Sequence, residues 1–233
     1  MADGARNATR VFTTWLPTFE TPQTAAREIN GALLDMIKLA DADPAALQAG
    51  LRPIVTAYGA WLEEQAEAAA LLPSHLTEEA EEAVHDAGRV RDQLAEGLDV
   101  LLADEEARRC FRFMNQVMAD QRIQSQVAEL RSKQPRLSRI AARDQVLAGG
   151  PKAHSWRTFQ LAFVLMQIPS LIRPEQPRRS GKLAKVELLF FPTGGGKTEA
   201  YLGLAAFAFA AAADRACWRV PMAPSTGARG SPC

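Results

Sequence analysis

Seven consecutive residues, Pro192-Thr193-Gly194-Gly195-Gly196-Lys197-Thr198, carry the types and spacing needed to hold a phosphate. Consecutive glycines adopt positive φ without steric cost, so the backbone can turn its N–H groups inward onto an anion. The lysine supplies a point charge for the β- and γ-phosphates of a nucleotide, and the threonine hydroxyl supplies a ligand for Mg²⁺. The phosphate-binding candidates are therefore Thr193, Gly194, Gly195, Gly196, Lys197 and Thr198, with Thr198 also the metal ligand. Strict phosphate-loop spacing puts its first glycine at position 191, where this chain has Phe191. The plain alternative is a tight turn with no ligand, although three glycines followed by Lys-Thr are more than a turn needs.

Such a loop works only between a strand and a helix, and the flanking text reads that way. Val186 to Phe191 is a mostly apolar run that suits a strand buried on both faces of a parallel sheet. Behind the loop, Ala200 to Ala213 is apolar throughout and reads as a buried helix, too short for the roughly 20 residues that cross a bilayer. Upstream, a Gly149-Gly150-Pro151 break precedes a short helix, Arg157 to Gln167, that is expected to end at Pro169. A polar, proline-rich loop follows from Arg173 to Gly181.

The first 130 or so residues carry only helical signals. Helix starts are marked by Thr21-Pro22, Asp43-Pro44, Thr77 and Asp104. Val84, Ala87, Val90, Leu94, Leu98 and Leu101 recur at intervals of three or four and form one amphipathic face. Ala107, Phe111, Met114 and Met118 repeat the pattern, so a helical bundle is expected. The division is 1–150 as a helical N-terminal region, 151–213 as the start of a phosphate-loop domain, and 214–233 as a disordered tail. That tail resembles GC-rich coding sequence read out of frame.

Charge is balanced overall, with 27 basic and 27 acidic residues, but polarised along the chain. Ala60 to Glu106 holds fourteen acidic residues against Arg89 and Arg91, and Arg131 to Lys185 holds twelve basic residues against Asp144 and Glu175. Both blocks suit solvated faces; the second also suits non-specific phosphate contact. Cys110, Cys217 and Cys233 are too few and too scattered for a disulfide framework or zinc site, and no secretory signal opens the chain, so a reducing cytoplasm is expected.

The stretch from Trp156 to Phe207 resembles the start of a superfamily 2 helicase motor, in which a PTGxGKT loop is the first ATPase motif. Trp156-Arg157-Thr158-Phe159-Gln160 resembles that family's arginine-x-aromatic-glutamine element, which implies that Gln160 reads the adenine edge of ATP; a plain helix-surface glutamine is the alternative. FQLAFVLMQIPSL, LLFFPTGGGKTEAYLGLAAF and FRFMNQVMADQR further resemble the helicase-like components of DISARM anti-phage systems. The resemblance implies a mainly α chain whose helical bundle leads into the first strand–P-loop–helix unit of an incomplete RecA-like motor. It also implies a cytoplasmic, membrane-free ATPase with ATP and Mg²⁺ as cofactors and with DNA and other DISARM components as partners.

The family's second motif, an acidic pair that holds Mg²⁺ and orients water, has no counterpart. After Lys197 the only acidic residues are Glu199 and Asp214. No catalytic residue is assigned, and the chain reads as the N-terminal portion of a motor that binds ATP without turning it over. The rival reading is a helical protein-interaction module with a vestigial nucleotide loop. A small phosphate-loop kinase is disfavoured, since no catalytic aspartate or arginine lid follows.

Overall fold

Short polar side chains set where most of the helices begin. In the computed structural model, which describes residues 12–13, 28–177, 179, 181–184, 186 and 196–219, Asp35 accepts from the backbone N–H of Ile37 at 2.9 Å and opens α1 (Met36–Asp41). Asp43, with Pro44 at the first helical position, accepts from the N–H of Ala46 at 2.7 Å and opens α2 (Pro44–Ala70). Helix α3 (Ser74–Ala103) starts three residues ahead of the expected Thr77. The N–H of Leu76 donates to the Pro73 carbonyl at 2.8 Å and the Thr77 hydroxyl donates to that oxygen at 3.4 Å, so Thr77 already lies in the first turn.

Asp104 caps α4 (Glu105–Lys133) by accepting from the N–H of Ala107 at 3.0 Å. Its first turn carries Glu105 and Glu106 and its last turn Arg131 and Lys133, each sign opposing the helix dipole. Ser138 caps α5 (Arg139–Ala148), a helix the sequence reading left unassigned. A 3₁₀ turn over Gly150–His154 leads into α6 (Thr158–Ile172), a second lies at Gly181–Leu183, and α7 spans Lys197–Arg219. The expected start near Thr21-Pro22 lies outside the described residues.

Proline 169 does not end α6, contrary to the expectation from sequence. Having no N–H, it leaves the Leu165 carbonyl four residues back without its helical donor. That oxygen faces the bare Cα of Gly97 on α3: a Cβ built there would lie 2.0 Å from it. The last carbonyls of α6 are taken up by arginines, with Arg179 Nη1 donating to Ser170 O at 2.8 Å and Arg215 Nη1 to Leu171 O at 3.2 Å. Packing and these donors carry the helix past the proline.

One apolar core joins the helices. It takes Met36 and Leu39 from α1, Leu51 and Ile54 from α2, Leu94, Leu98 and Leu101 from α3, Phe111, Met114 and Met118 from α4, Leu161, Val164 and Ile168 from α6, and Phe207 and Ala211 from α7. The predicted faces of α3 and α4 are thus found inside, although on α3 only the C-terminal half is fully buried, and Val84, Ala87 and Val90 are half-covered. Side chains from both sides of the Gly149-Gly150-Pro151 break enter this core. A smaller cluster of Ile123, Val127 and Ala142 fixes α5 to α4.

The described residues are mainly helical and contain no strand; an isolated antiparallel bridge pairs Asp35 with Ser155, beside a 2.9 Å bond from the Trp156 N–H to the Leu34 carbonyl. Of the expected strand only Val186 is described, and it is 96% exposed, while 187–191 lie outside the described residues. The strand–loop–helix unit is therefore not shown; its helix is. Helix α7 begins at Lys197, as the loop requires, and continues six residues beyond Ala213 to Arg219, while 220–233 lie outside the described residues. No described helix is long and apolar enough to cross a membrane.

Candidate functional site

The site is built where the start of α6 meets the start of α7. Trp156 anchors the approach to α6: its indole N–H donates to Asn115 Oδ1 at 2.8 Å, with the ring 2% and Asn115 0% exposed. Asn115 in turn donates from Nδ2 to the Phe111 carbonyl at 2.8 Å, tying the indole to the α4 backbone. Two residues before Trp156, His154 Nδ1 and Asp35 Oδ1 lie 3.1 Å apart in a buried pair that fastens the 3₁₀ turn to the cap of α1. These bonds hold the Trp156-Arg157 junction against α4 and the start of α1.

From that junction Gln160 projects into the fold, 2% exposed. Its Oε1 accepts from the Arg157 N–H at 2.8 Å, closing the first turn of α6, and its Nε2 donates to the Gly196 carbonyl at 2.6 Å. Two sequence elements separated by the whole loop region are thereby joined by a buried amide. Gly196 has φ of +89°, the left-handed region that the loop reading assigns to glycine. A Cβ at Gly196 would come 2.7 Å from Gln160 Nε2 and 3.2 Å from Glu199 Oε2, so only glycine fits between them.

Lys197 and Thr198 open α7, Lys197 half-buried and Thr198 exposed. Thr193, Gly194 and Gly195 lie outside the described residues. Two further cations converge on this turn. Arg157 Nη1 lies 3.7 Å from the Cβ position of Gly196, and Arg122 Nη1 on α4 lies 3.7 Å from Glu199 Oε1. Sequence reasoning gave Arg122 no role; the only signal was its place at the end of FRFMNQVMADQR.

The first turn of a long helix, with N–H groups unpaired inside the helix and lysine and arginine nearby, can hold an anionic phosphate. The donor set suits Mg²⁺ held mainly by nucleotide oxygens, with one protein hydroxyl from Thr198. Among the described residues no group of three or more His, Cys, Asp or Glu side chains could hold a metal by itself.

The basic block from Arg131 to Lys185 is partly spent on local bonds. Arg131 Nε donates to Leu137 O, Lys133 pairs with Glu129 at 2.6 Å, and Arg139 donates to Gln124 at 3.1 Å.

No family model matches the chain. A curated protein does, over 110 residues at 39% identity. It is the DISARM protein DrmA of Bacillus paralicheniformis. The match covers 46% of this chain and 9% of DrmA, so the chain spans a small part of that protein's length.

Proposed function

We propose that this chain is the ATP-binding portion of a DISARM-type helicase or DNA-dependent ATPase that acts in anti-phage defence. The observation that supports the reading most is the 2.6 Å bond from Gln160 to Gly196, which joins the residue we assign to adenine with the turn we assign to phosphate. Lys197 meets the β- and γ-phosphates, Thr198 ligates Mg²⁺, and the loop backbone from Thr193 to Gly196 cradles the phosphates. Similarity to DrmA supports the defence role and other DISARM components as partners, and DNA is a further partner in this proposal.

Each end of the Gln160 amide makes one bond, which leaves one N–H and one oxygen lone pair with which to read adenine. An amide can donate to and accept from adenine, whereas guanine presents the reversed pattern. Competition measures this: GTP should displace ATP poorly, and equal displacement would remove Gln160 from the site.

Turnover needs a carboxylate that orients water and holds the metal. Glu199 is paired with Arg122, and Asp214 lies sixteen residues along α7, about 24 Å from Thr198 at 1.5 Å per residue. The 233-residue chain should therefore hydrolyse ATP at background rates even with DNA present; DNA-stimulated hydrolysis would refute this part of the proposal.

A second reading, a helical protein-interaction module with a vestigial loop, draws on the apolar tip between α2 and α3, where Leu71 is 87% exposed and Leu72 and Leu76 lie beside it. That reading expects no nucleotide dependence of any partner contact.

A further inference from the structure

We propose that Arg122 is a positioning residue for the phosphate loop: it neutralises Glu199, whose carboxylate otherwise stands at the edge of the phosphate site. The proposal rests on the reading of Gly196-Lys197-Thr198 as that site. Glu199 follows Thr198 directly, yet its carboxylate leans back toward the loop, since Oε2 lies 3.2 Å from the Cβ position of Gly196. A carboxylate there favours the helix dipole while the N-terminus is empty. When a phosphate arrives the carboxylate repels the incoming charge, and partial burial strengthens that repulsion.

Arg122 reaches Glu199 from α4, a helix of the N-terminal bundle, with both side chains 29% exposed. Their 3.7 Å separation is an ion pair without a hydrogen bond. Arg122 Nε and Glu199 Oε2 are both buried and have no hydrogen-bond partner among the described residues. A pair serving stability alone would close these groups onto each other, because an unmet buried donor and acceptor each carry a desolvation cost. The open geometry instead keeps the guanidinium charge beside the carboxylate while leaving both groups able to re-pair when a phosphate arrives at the first turn of α7. The helical bundle thereby sets the electrostatics of that turn.

A double-mutant cycle on the full chain tests this, with Mg-ATP titrated calorimetrically into the wild type, Arg122→Ala, Glu199→Gln and the double variant. Thermal melts confirm that each is folded; if Arg122→Ala is not, Arg122→Gln keeps the apolar stem and a polar end without the charge and gives the same comparison. Arg122→Ala should weaken binding roughly tenfold, a typical coupling between charges at this separation. Glu199→Gln should bind as tightly as wild type or better, and the double variant should match Glu199→Gln to within about twofold. Wild-type affinity in Arg122→Ala would overturn the proposal. So would an undiminished loss in the Glu199→Gln background, which would make Arg122 a direct phosphate ligand. Absence of Mg-ATP binding by the wild type would overturn the phosphate-loop reading itself and this proposal with it, an outcome distinct from binding that ignores Arg122.

Discussion

Replacing Gly97 with alanine asks whether the contact between α3 and α6 is as tight as it looks. The added methyl would lie 2.0 Å from the Leu165 carbonyl oxygen and 2.6 Å from its carbon, both backbone atoms that no rotamer change can move. Restoring an ordinary contact needs α6 to shift off α3 by about 1 Å or more, which forfeits packing along the shared face. Overpacking of this kind costs roughly 3 kcal/mol at the upper end, and alanine's better helix propensity returns about 1. The net expectation is a loss of about 2 kcal/mol, which lowers the melting temperature by about 4–8 °C in a chain of this size.

Gly88 provides the control on the same helix. A Cβ there would meet Leu62 Cδ2 at 3.7 Å, an ordinary contact, so Gly88→Ala should gain about 0.5–1 kcal/mol from propensity alone. Thermal and urea unfolding followed by circular dichroism read both variants. Equal stability of Gly97→Ala and wild type, or loss of stability in both variants, would refute the close approach of the Leu165 carbonyl to α3.

Other outcomes follow from single contacts. Asn115→Ala strips the buried Trp156 indole of its acceptor and should cost about 1–3 kcal/mol; adding Trp156→Phe should cost less than the sum, and strict additivity in unfolding experiments would dismiss the bond. Burial pushes the Tyr58 hydroxyl above its ordinary value of 10.0, so the folded state disfavours the phenolate. Stability from this source is present below the unfolded value and is lost as pH rises through the folded one, and ultraviolet titration should show Tyr58 ionising above the ordinary value. Ionisation of Tyr58 at the ordinary value would contradict it. DNA binding through the Arg131 to Lys185 block should fall steeply with salt, and salt-insensitive retention on DNA would place the contact elsewhere.

The parts of the fold legible in the sequence were those written in short-range signals. Asp43-Pro44 and Asp104 cap helices where their chemistry says they should, and the three-to-four spacing from Leu94 to Met118 marks side chains that the core takes up. Thr77 is not the start because Pro73 and Ser74 are start signals as well, and the helix begins at that earlier pair. Pro169 misled because its cost is met from outside α6, by a glycine on α3 and by arginines on distant segments, none of which a local reading can weigh.

At the site, Gln160, Lys197 and Thr198 could be named from motif and resemblance, and the structure joins Gln160 to Gly196. The contributions of Asn115 and Arg122 were not legible as roles. Both sit on a helix whose register gives which face is buried, while their partners, Trp156 and Glu199, come from segments far along the chain. Such pairings are set by tertiary packing and have no local signature.

The central claim is that the turn opening α7 binds nucleotide phosphates through Lys197 and the loop backbone. Calorimetric titration of Mg-ATP into the wild-type chain and into Lys197→Ala tests it most directly. Weak saturable binding by the wild type, abolished in a Lys197→Ala chain that melts like the wild type, is the predicted result; equal affinity in the two proteins would contradict it.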